Sequence, residues 1–298
     1  VLSEQPFNFE IVYINDGSSD NTLSIIKELR QADKQVTLID LSRNFGKEIA
    51  LTAGSQKAAG DAVIVIDADL QDPPELIPEL IREWQNGYDV VYAQRSHRKG
   101  ESLLKRTTAH FFYRIIQRIS KITIPEDTGD FRILSRRAVN ALNTFNEQHR
   151  FMKGLFAWIG YRQKAVQYQR DPRHAGETKW NYWKLWNFAL DGITSFTIAP
   201  LKISTYLGLL TAAGAFGYGI YMLIETLIHG NPVPGYPSLI VIILILGGIQ
   251  LVAIGILGEY LGRIFNETKG RPLYFVNEYL PSAGASSRQA ASHPSTEQ

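Results

Sequence analysis

The stretch VIVIDADLQDPPE, residues 63–75, sets four apolar residues directly before a group of carboxylates. Asp67 and Asp69 follow the apolar run at alternate positions, and Asp72 comes three residues later. Charged groups packed beside a buried strand lower stability unless something pairs with them. The stretch therefore predicts a buried strand that ends at a polar site.

The segments around this stretch alternate between two patterns. Strand-like runs are FEIVYI (9–14), QVTLIDL (35–41), AVIVID (62–67) and YDVVYA (88–93). Helix-like segments lie between them: LSIIKELRQ (23–31), a small-residue run that ends near residue 59, and PPELIPELIREWQNG (73–87). This alternation predicts a Rossmann-like α/β domain whose mostly parallel sheet is covered by helices on both faces.

Polar clusters follow three of the predicted strands, at residues 16–21, 43–47 and 67–72. In parallel sheets, ligands bind beyond the carboxyl ends of the strands. Because these ends share one edge of the sheet, we interpret the three clusters as one site rather than as three solvated loops.

The Asp-x-Asp pair in the third cluster is a candidate metal site. Side chains at positions i and i+2 of an extended segment point the same way, so extended geometry through Ala68 would bring the carboxylates of Asp67 and Asp69 together. Mg²⁺ or Mn²⁺ would relieve their repulsion, because hard cations prefer oxygen ligands. Alone the pattern is weak, since most copies are surface acids or helix caps; at the end of an apolar strand it is much stronger.

Composition limits the function classes. The chain has 298 residues, a net charge of +2 and no cysteine. The balanced charge does not favour a nucleic-acid partner, and the lack of cysteine excludes disulfides and thiolate metal sites. Residues 1–10 lack the basic start and apolar core of a signal peptide.

Two long uncharged runs, residues 203–224 and 230–258, predict a transmembrane hairpin. The alternative, a pair of very buried soluble helices, is disfavoured by their length. The turn between the runs has no lysine or arginine, whereas basic residues flank both outer ends, which places the α/β domain and the C-terminal tail in the cytoplasm. These basic residues are Arg173, Lys179, Lys184 and Lys202 on one side, and Arg263, Lys269 and Arg271 on the other.

Four motifs in series carry a resemblance to a known family. They are NDGSSDNT (15–22), LSRNFGKEIAL (41–51), DADLQDPPE (67–75) and TGDFRILSRR (128–137). In this order and spacing they resemble a family 2 glycosyltransferase with a GT-A fold. With the hairpin, residues 9–275 are similar to the polyprenyl-phosphate glycosyltransferases, which include bactoprenol glucosyltransferases, dolichol-phosphate mannose synthases and aminoarabinose transferases.

The resemblance implies a reaction. A hexose, with glucose favoured, would move from a nucleotide diphosphate sugar such as UDP-glucose to a polyprenyl phosphate at the cytoplasmic membrane face, with inversion at the anomeric carbon. The metal cofactor would be Mg²⁺ or Mn²⁺. The partners would be the nucleotide sugar, the lipid and the bilayer, without nucleic acid, in a homo-oligomer for which a tetramer is one option.

The resemblance also assigns donor-binding residues. Asp16 would contact the base or ribose, and Arg43 and Lys47 would lie near the nucleotide. The simpler alternatives are that Asp16 and Ser18 cap the next helix and that the two basic residues are ordinary loop charges.

The implied metal ligands come from the third cluster. Asp67 would hold the ribose side of the donor and approach the metal. Asp69 would be the main ligand, and Gln71 an auxiliary one. The metal would stabilise the nucleoside diphosphate as it leaves.

Asp130 matches the family's proposed catalytic base. Its alternative interpretation is an acid that pairs with Arg132 or caps a turn. A phosphate monoester is largely a dianion at neutral pH, because its second pKa is near 6, and it needs little deprotonation. Orienting the acceptor, or stabilising positive charge on the sugar carbon, is therefore the competing role for Asp130.

Acceptor contacts are implied for Arg95 and Arg132, and phosphate contacts for Arg173 and Lys179 in the predicted lid loop RHAGETK (173–179).

Residues 96–121 predict a basic amphipathic helix at an anionic membrane surface, or else a soluble helix with its apolar face in the core. Aromatic residues after the lid loop predict a bilayer interface, with a packed core patch as the alternative: Trp180, Tyr182, Trp183 and Trp186.

The predicted domain boundaries follow. Residues 1–170 form the GT-A domain, 171–200 the lid loop and interfacial helices, and 201–262 two transmembrane helices. Residues 263–298 are a cytoplasmic segment, disordered from about residue 281. Family members begin with a strand before the one at 9–14, so we expect the sheet to lack a central member in this chain.

Competing functions stay open. Within the family, an aminoarabinose or mannose transferase is the alternative. A processive polysaccharide synthase is disfavoured, because Arg170 is followed by Asp171 and not by the tryptophan of the synthase motif. An inactive lipid-binding membrane assembly protein is disfavoured by the intact residues Asp67, Asp69 and Asp130.

Overall fold

The computed structural model describes residues 1–2, 6–69, 71–96, 125, 128–168, 199–230 and 235–283. The chain forms two compact units, one from Val1–Gly192 with Arg271–Gln298 and one from Ile193–Gly270. The first unit is an α/β domain, and the second consists of two long helices. The predicted pairing of an α/β domain with two apolar helices is confirmed.

The described part of the first unit contains seven strands and five α-helices. The strands are β1 (Ile11–Asn15), β2 (Val36–Leu41), β3 (Ala62–Val65), β4 (Val90–Arg95), β5 (Thr128–Ser135), β6 (Gln163–Tyr168) and β7 (Val276–Leu280). The helices are α1 (Thr22–Ala32), α2 (Lys47–Lys57), α3 (Ile77–Gln85), α4 (Arg136–Asn143) and α5 (Met152–Trp158), with a 3₁₀ turn at Pro74–Leu76.

These strands form two sheets. In the first, β1 pairs in parallel with β2, and β7 adds to β2 in the antiparallel direction. In the second, the order is β3-β5-β4-β6, with β5 antiparallel to both of its neighbours and β6 parallel to β4. No strand pairing joins the two sheets within the described residues.

The α/β class is confirmed, but the sheets are mixed rather than mostly parallel. The prediction rests on residues 9–93, which contain β1, β2, β3 and the first part of β4 and say nothing about the direction of β5. The reversed direction of β5 matters for the site. Val65 at the end of β3 pairs with Arg132, and Gln94 near the end of β4 pairs with Thr128, so the first half of β5 lies at the carboxyl ends of β3 and β4.

The strand before the Asp-x-Asp pair is shorter than the sequence predicted. β3 ends at Val65, two residues before Asp67, and the chain turns at Ala68 and Asp69. Extended geometry through Ala68, the condition for both carboxylates to point the same way, is therefore not met.

The core of the first unit lies on both sides of the two sheets. Leu38 and Ile39 of β2, Leu80 of α3 and Phe131 of β5 are fully buried. Each contributes about 1.5–3 kcal/mol through removal of its side chain from water. The small residues of α2 are explained by close packing, because a Cβ at Gly54 would lie 2.8 Å from the Cδ1 atom of Ile14.

The sequence did not predict β7, which follows the two-helix unit in the chain and completes the first sheet. Arg30 of α1 donates to the carbonyl of Pro281 at 2.7 Å. Asp40 of β2 is buried and accepts from the side-chain amides of Asn15 at 2.7 Å and Asn277 at 2.8 Å. The chain therefore leaves the first unit, forms the two long helices, and returns to the first unit as a strand.

The second unit consists of α6 (Ala199–His229) and α7 (Tyr236–Thr268). Their spans Pro200–His229 and Val241–Thr268 have mean hydropathies of 1.6 and 2.6 and are long and apolar enough to cross a membrane. At about 1.5 Å rise per residue, each helix exceeds the roughly 30 Å hydrocarbon core of a bilayer.

Candidate active site at the carboxyl edge of the strands

Lys47, the first residue of α2, brings together two acids that are far apart in sequence. Its Nζ atom lies 2.8 Å from the carboxylate of Asp67, after β3, and 2.6 Å from Oδ2 of Asp130, in β5. The reversed direction of β5 makes this contact possible, because it places Asp130 at the edge where β3 ends. Three of the predicted site residues therefore share one ion-paired cluster.

The acids determine the charge of Lys47. Burial by itself lowers the pKa of the ammonium group, but Asp130 and Asp67 outweigh burial and raise the pKa above its ordinary value. Since about half of the Lys47 side chain is exposed, water also reaches this cation. Lys47 is therefore a positive charge that is paired with two acids, and its predicted role near a nucleotide stays a prediction.

Asp130 is the most buried acid of the cluster, with 8% of its surface exposed. Burial by itself raises the pKa of its carboxyl, but Lys47, Lys153 and Arg132 outweigh burial and hold the pKa below its usual value. Its Oδ2 atom pairs with Lys47, while its buried Oδ1 atom has no hydrogen-bond partner in the described part of the chain. Asp130 thus presents one charged, unshared oxygen to the site.

Arg132 does not form the ion pair with Asp130 that the alternative interpretation required. Its guanidinium donates to the backbone carbonyls of Gly129 at 2.8 Å and Asp130 at 3.3 Å, and it stacks 3.8 Å from the ring centre of Phe156. Burial lowers the pKa of Arg132 to about 10, with Asp130 opposing the shift. Arg132 holds the backbone at Gly129 and Asp130 and supplies buried positive charge behind the carboxylate.

Asp16 holds the loop between β2 and α2. Its carboxylate accepts from the backbone N–H groups of Phe45 at 2.7 Å and Gly46 at 2.9 Å. Asp16 therefore does not cap α1, whose N-cap residue is Asn21. Gly17 allows the close approach of the two loops, because its φ is +65° and a Cβ there would lie 2.4 Å from the backbone nitrogen of Asn44.

Arg43 lies in the same loop and is exposed. Its guanidinium stacks 4.0 Å from the ring centre of Phe45 and donates to the carbonyl of Asn44 at 3.0 Å. The Asp16 contacts place this arginine beside α2, on the same edge of the domain as Lys47. The predicted role of Arg43 near a nucleotide stays a prediction.

The predicted metal ligands follow β3 on the loop that begins with Asp67. Asp69 is exposed and accepts from the backbone N–H of Gln71 at 3.2 Å. No cluster of three or more histidine, cysteine or acidic residues suited to a metal occurs among the described residues. The oxygen donors of Asp67, Asp69 and Gln71 suit a hard divalent cation in chemistry, with water or a substrate to complete its coordination.

Glu48 and Lys153 belong to this site, although the sequence did not single them out. Glu48 follows Lys47 in α2, and Lys153 lies in α5. Both interact electrostatically with Asp130, and Lys153 also with Arg132 and Arg95. Burial lowers the pKa of Lys153. In the sequence, a Lys-Glu pair and a lone lysine look like solvated charges, so no signal distinguished them.

Burial, reinforced by the nearby Asp130, raises the pKa of Glu48 to about 7 from 4.5. Because the pKa is higher in the folded state, ionisation of Glu48 removes stability as the pH rises from about 4.5 to 7. We expect Glu48→Gln to stabilise the protein by up to about 3 kcal/mol above pH 8 and to have little such effect near pH 4.5. Thermal unfolding of both proteins at pH 5 and pH 8 measures this.

The control for this prediction is Glu28→Gln, since Glu28 is an exposed glutamate of α1. Its effect on the unfolding temperature should be small at both pH values. An equal effect of Glu48→Gln at pH 5 and pH 8 would contradict the shifted pKa.

Other predicted residues lie outside the described part of the chain. These are Arg173 and Lys179 of the predicted lid loop, the aromatic cluster that follows it, and nearly all of the amphipathic segment 96–121. Arg95 is described: it ends β4, and its buried Nε atom has no hydrogen-bond partner among the described residues.

Comparisons with known proteins identify a family for each of the two units. The model of a family described as Glycosyl transferase family 2 matches residues 1–142, and one described as GtrB C-terminal hairpin matches residues 199–264, which cover α6 and most of α7. The SfII prophage-derived bactoprenol glucosyl transferase of Shigella flexneri is 53% identical over 274 residues, which are 92% of this chain and 89% of that protein.

Two further relatives extend over both units. An uncharacterized glycosyltransferase of Synechocystis sp. is 54% identical over 286 residues, covering 94% of this chain and 90% of that protein. The uncharacterized glycosyltransferase YkcC of Bacillus subtilis is 46% identical over 278 residues, covering 93% of this chain and 86% of that protein. The matched regions therefore extend over both the α/β unit and the two long helices.

Proposed function

The chain belongs to glycosyl transferase family 2, and on this premise we propose that it moves glucose from a nucleotide diphosphate sugar to a polyprenyl phosphate. One observation carries the choice of substrates: the 53% identity to a bactoprenol glucosyl transferase of Shigella flexneri across 89% of that protein. UDP-glucose is the donor that we favour. The reaction inverts the anomeric carbon and takes place at the cytoplasmic face of the inner or plasma membrane.

The membrane arrangement is supported by chain connectivity. The chain leaves the α/β unit, forms two apolar helices and returns to that unit as β7. If each helix crosses once, both chain segments of the α/β unit lie on the same side. The basic residues that flank the hairpin, such as Lys202 and Arg263, favour the cytoplasmic side.

The reaction is a single displacement. An oxygen of the acceptor phosphate attacks the anomeric carbon, the bond from that carbon to the diphosphate oxygen breaks, and the nucleoside diphosphate leaves with the bonding electrons. An acceptor in its dianionic form gives up no proton in this step. Asp130 then serves to orient the acceptor and to stabilise positive charge on the sugar carbon, with its unshared Oδ1 atom as the reacting-side oxygen.

The donor is held by the loops after β1, β2 and β3. Asp16 and Arg43 lie on the nucleotide side, and Lys47 offers its ammonium group to the diphosphate. Asp67, Asp69 and Gln71 would hold Mg²⁺ or Mn²⁺, which supplies charge neutralisation of the leaving diphosphate. When the donor binds, Lys47 exchanges part of its pairing with Asp67 for the diphosphate.

The acceptor phosphate lies on the other side of Asp130, toward Arg95, Arg132 and Lys153. Lys153 and Arg132 interact electrostatically with the Asp130 carboxylate, Lys153 also interacts with Arg95, and the buried Nε atom of Arg95 is available to a phosphate oxygen. Arginine suits this role because its planar group donates two parallel hydrogen bonds to a phosphate. Arg173 and Lys179 would add contacts to the phosphates.

The experiment that tests the function offers a panel of radiolabelled sugar nucleotides to membranes containing the protein, with undecaprenyl phosphate and Mn²⁺ or Mg²⁺. We expect label to enter the lipid fraction from UDP-glucose at least about tenfold faster than from the other donors, since a site built to bind one sugar's hydroxyls rejects others strongly. The panel includes GDP-mannose and UDP-aminoarabinose.

Control membranes lack the protein. Faster transfer from GDP-mannose or UDP-aminoarabinose would contradict the choice of glucose. No transfer from any donor, by protein that binds the lipid, would favour the inactive assembly protein instead.

A further inference from the structure

Asp72 belongs to the same motif as the predicted metal ligands, but it faces a different partner. Only 1% of its surface is exposed, and its Oδ1 atom accepts a hydrogen bond of 2.6 Å from the hydroxyl of Tyr168. A buried carboxylate is costly unless it is hydrogen-bonded, and this bond gives Oδ1 of Asp72 a donor. The third acid of the motif therefore bonds to the end of β6 and not to the ion-paired cluster at Lys47.

Tyr168 links Asp72 to Arg95. Tyr168 and Arg95 are register partners at the ends of the parallel strands β6 and β4, so their side chains lie close enough to interact. The tyrosine O–H donates to Asp72, which leaves the lone pairs of the tyrosine oxygen to accept from the guanidinium. Burial, reinforced by Asp72, raises the pKa of the Tyr168 hydroxyl, so it stays protonated and keeps donating.

The guanidinium of Arg95 reaches the backbone next to Asp130. A Cβ at Gly129 would lie 3.5 Å from Nη2 of Arg95. The Nε atom of Arg95 is buried and makes no hydrogen bond within the described residues. Arg95 thus lies beside both Tyr168 and Gly129 and keeps a buried donor for another ligand.

We propose that Asp72 and Tyr168 are positioning residues that hold Arg95 beside Asp130, in the orientation that binds the acceptor phosphate. This inference rests on the proposed function. The hydrogen bond to Asp72 orients the tyrosine hydroxyl, the hydroxyl in turn holds the long arginine side chain before the acceptor arrives, and fixing it in advance strengthens binding. They also connect the loop of Asp69 and Gln71, which would serve the donor, to the arginine that serves the acceptor.

The test measures binding and transfer separately on the full chain in detergent. Titration calorimetry with farnesyl phosphate, a short prenyl phosphate, gives the affinity of wild type and of Tyr168→Phe, which removes only the hydroxyl. We expect the affinity to fall about tenfold, as for loss of a hydrogen bond to a charged group. In transfer assays the KM for the lipid should rise by a similar factor, with the KM for UDP-glucose within about twofold of wild type.

The matched control is Tyr88→Phe, because Tyr88 packs against the same apolar cluster as Tyr168. We expect this substitution to change neither the affinity for farnesyl phosphate nor the KM for the lipid. In a variant that already carries Arg95→Ala, Tyr168→Phe should have no further effect, since the hydroxyl acts through the arginine. Asp72→Asn, a second variant, should weaken farnesyl phosphate binding in the same direction.

The positioning role would be overturned if Tyr168→Phe and Asp72→Asn left the farnesyl phosphate affinity unchanged. It would also be overturned if Tyr168→Phe lowered that affinity equally in the presence and absence of Arg95. Failure of the wild type to bind farnesyl phosphate would overturn it as well. If the wild type binds farnesyl phosphate and fails to transfer glucose, the proposed function fails while the positioning role is decided by the calorimetry.

Discussion

Asp130→Asn is expected to lower the rate of glucosyl transfer about a thousandfold while the protein still binds the nucleotide sugar. Asparagine keeps the shape of the side chain and removes its charge. The carboxylate is buried, ionised by Lys47 and its neighbours, and carries one unshared oxygen. Charged groups aimed at developing charge in a dry site contribute about 10²–10³ in rate, and acid–base groups about 10²–10⁴.

The measurement is transfer under single-turnover conditions, with nucleotide-sugar binding followed by calorimetry. Asp89→Asn is the matched control, since Asp89 is a buried aspartate paired with Arg137 at the opposite end of β4. Asp89→Asn removes the charge paired with Arg137, so it should lower thermal stability and leave the transfer rate within about threefold of wild type. Near-normal turnover by Asp130→Asn, with donor bound, would contradict the role of Asp130.

The dependence of transfer on pH separates a role of Asp130 as catalytic base from a role in orienting the acceptor and stabilising positive charge on the sugar carbon. Because its pKa is held below the usual value, the carboxylate is ionised at every pH from 5 to 9. A fall in rate as the pH drops from 7 to 5.5 would then report protonation of the acceptor phosphate, whose second pKa is near 6. Glu48 titrates nearby, so the fall should persist in Glu48→Gln if the acceptor is its source.

Much of the site could be predicted from the sequence because apolar runs mark strands and polar residues after them mark one edge. This pattern alone predicts that the clusters containing Lys47 and Asp67 lie at this edge. The place of Asp130 depended on the family motif. Its segment lies beyond the alternating pattern, and only the reversed direction of β5 brings it to Lys47.

What could not be predicted depends on tertiary contacts. The end of β3 at Val65 is set by pairing with Arg132, which lies 67 residues later in the chain. Glu48 and Lys153 meet only because α2 and α5 pack near β5, and neither has a distinctive sequence pattern. β7 was missed since its five residues follow a long apolar segment and resemble the start of a tail.

Removal of divalent cations is expected to lower glucosyl transfer by about three orders of magnitude, and Asp69→Ala should reproduce much of that loss in the presence of the cation. Lys47 cannot replace the cation, because its ammonium group is already shared between Asp67 and Asp130. Without further positive charge, the leaving diphosphate would face both carboxylates. Transfer with chelator, and with Mn²⁺ or Mg²⁺ restored, gives the size of the effect.

Asp33→Ala is a close control for Asp69→Ala. Both acids are exposed, and each accepts a hydrogen bond from the backbone N–H two residues later, at 2.8 Å from Gln35 and 3.2 Å from Gln71. Loss of this local turn contact is therefore common to both variants, while only Asp69 lies on the loop that follows β3. Calorimetry should show nucleotide binding that needs the cation in wild type and in Asp33→Ala, and weak binding in Asp69→Ala. Equal transfer by both variants, or transfer that a chelator leaves unchanged, would mean that Lys47 and the arginines alone neutralise the leaving diphosphate.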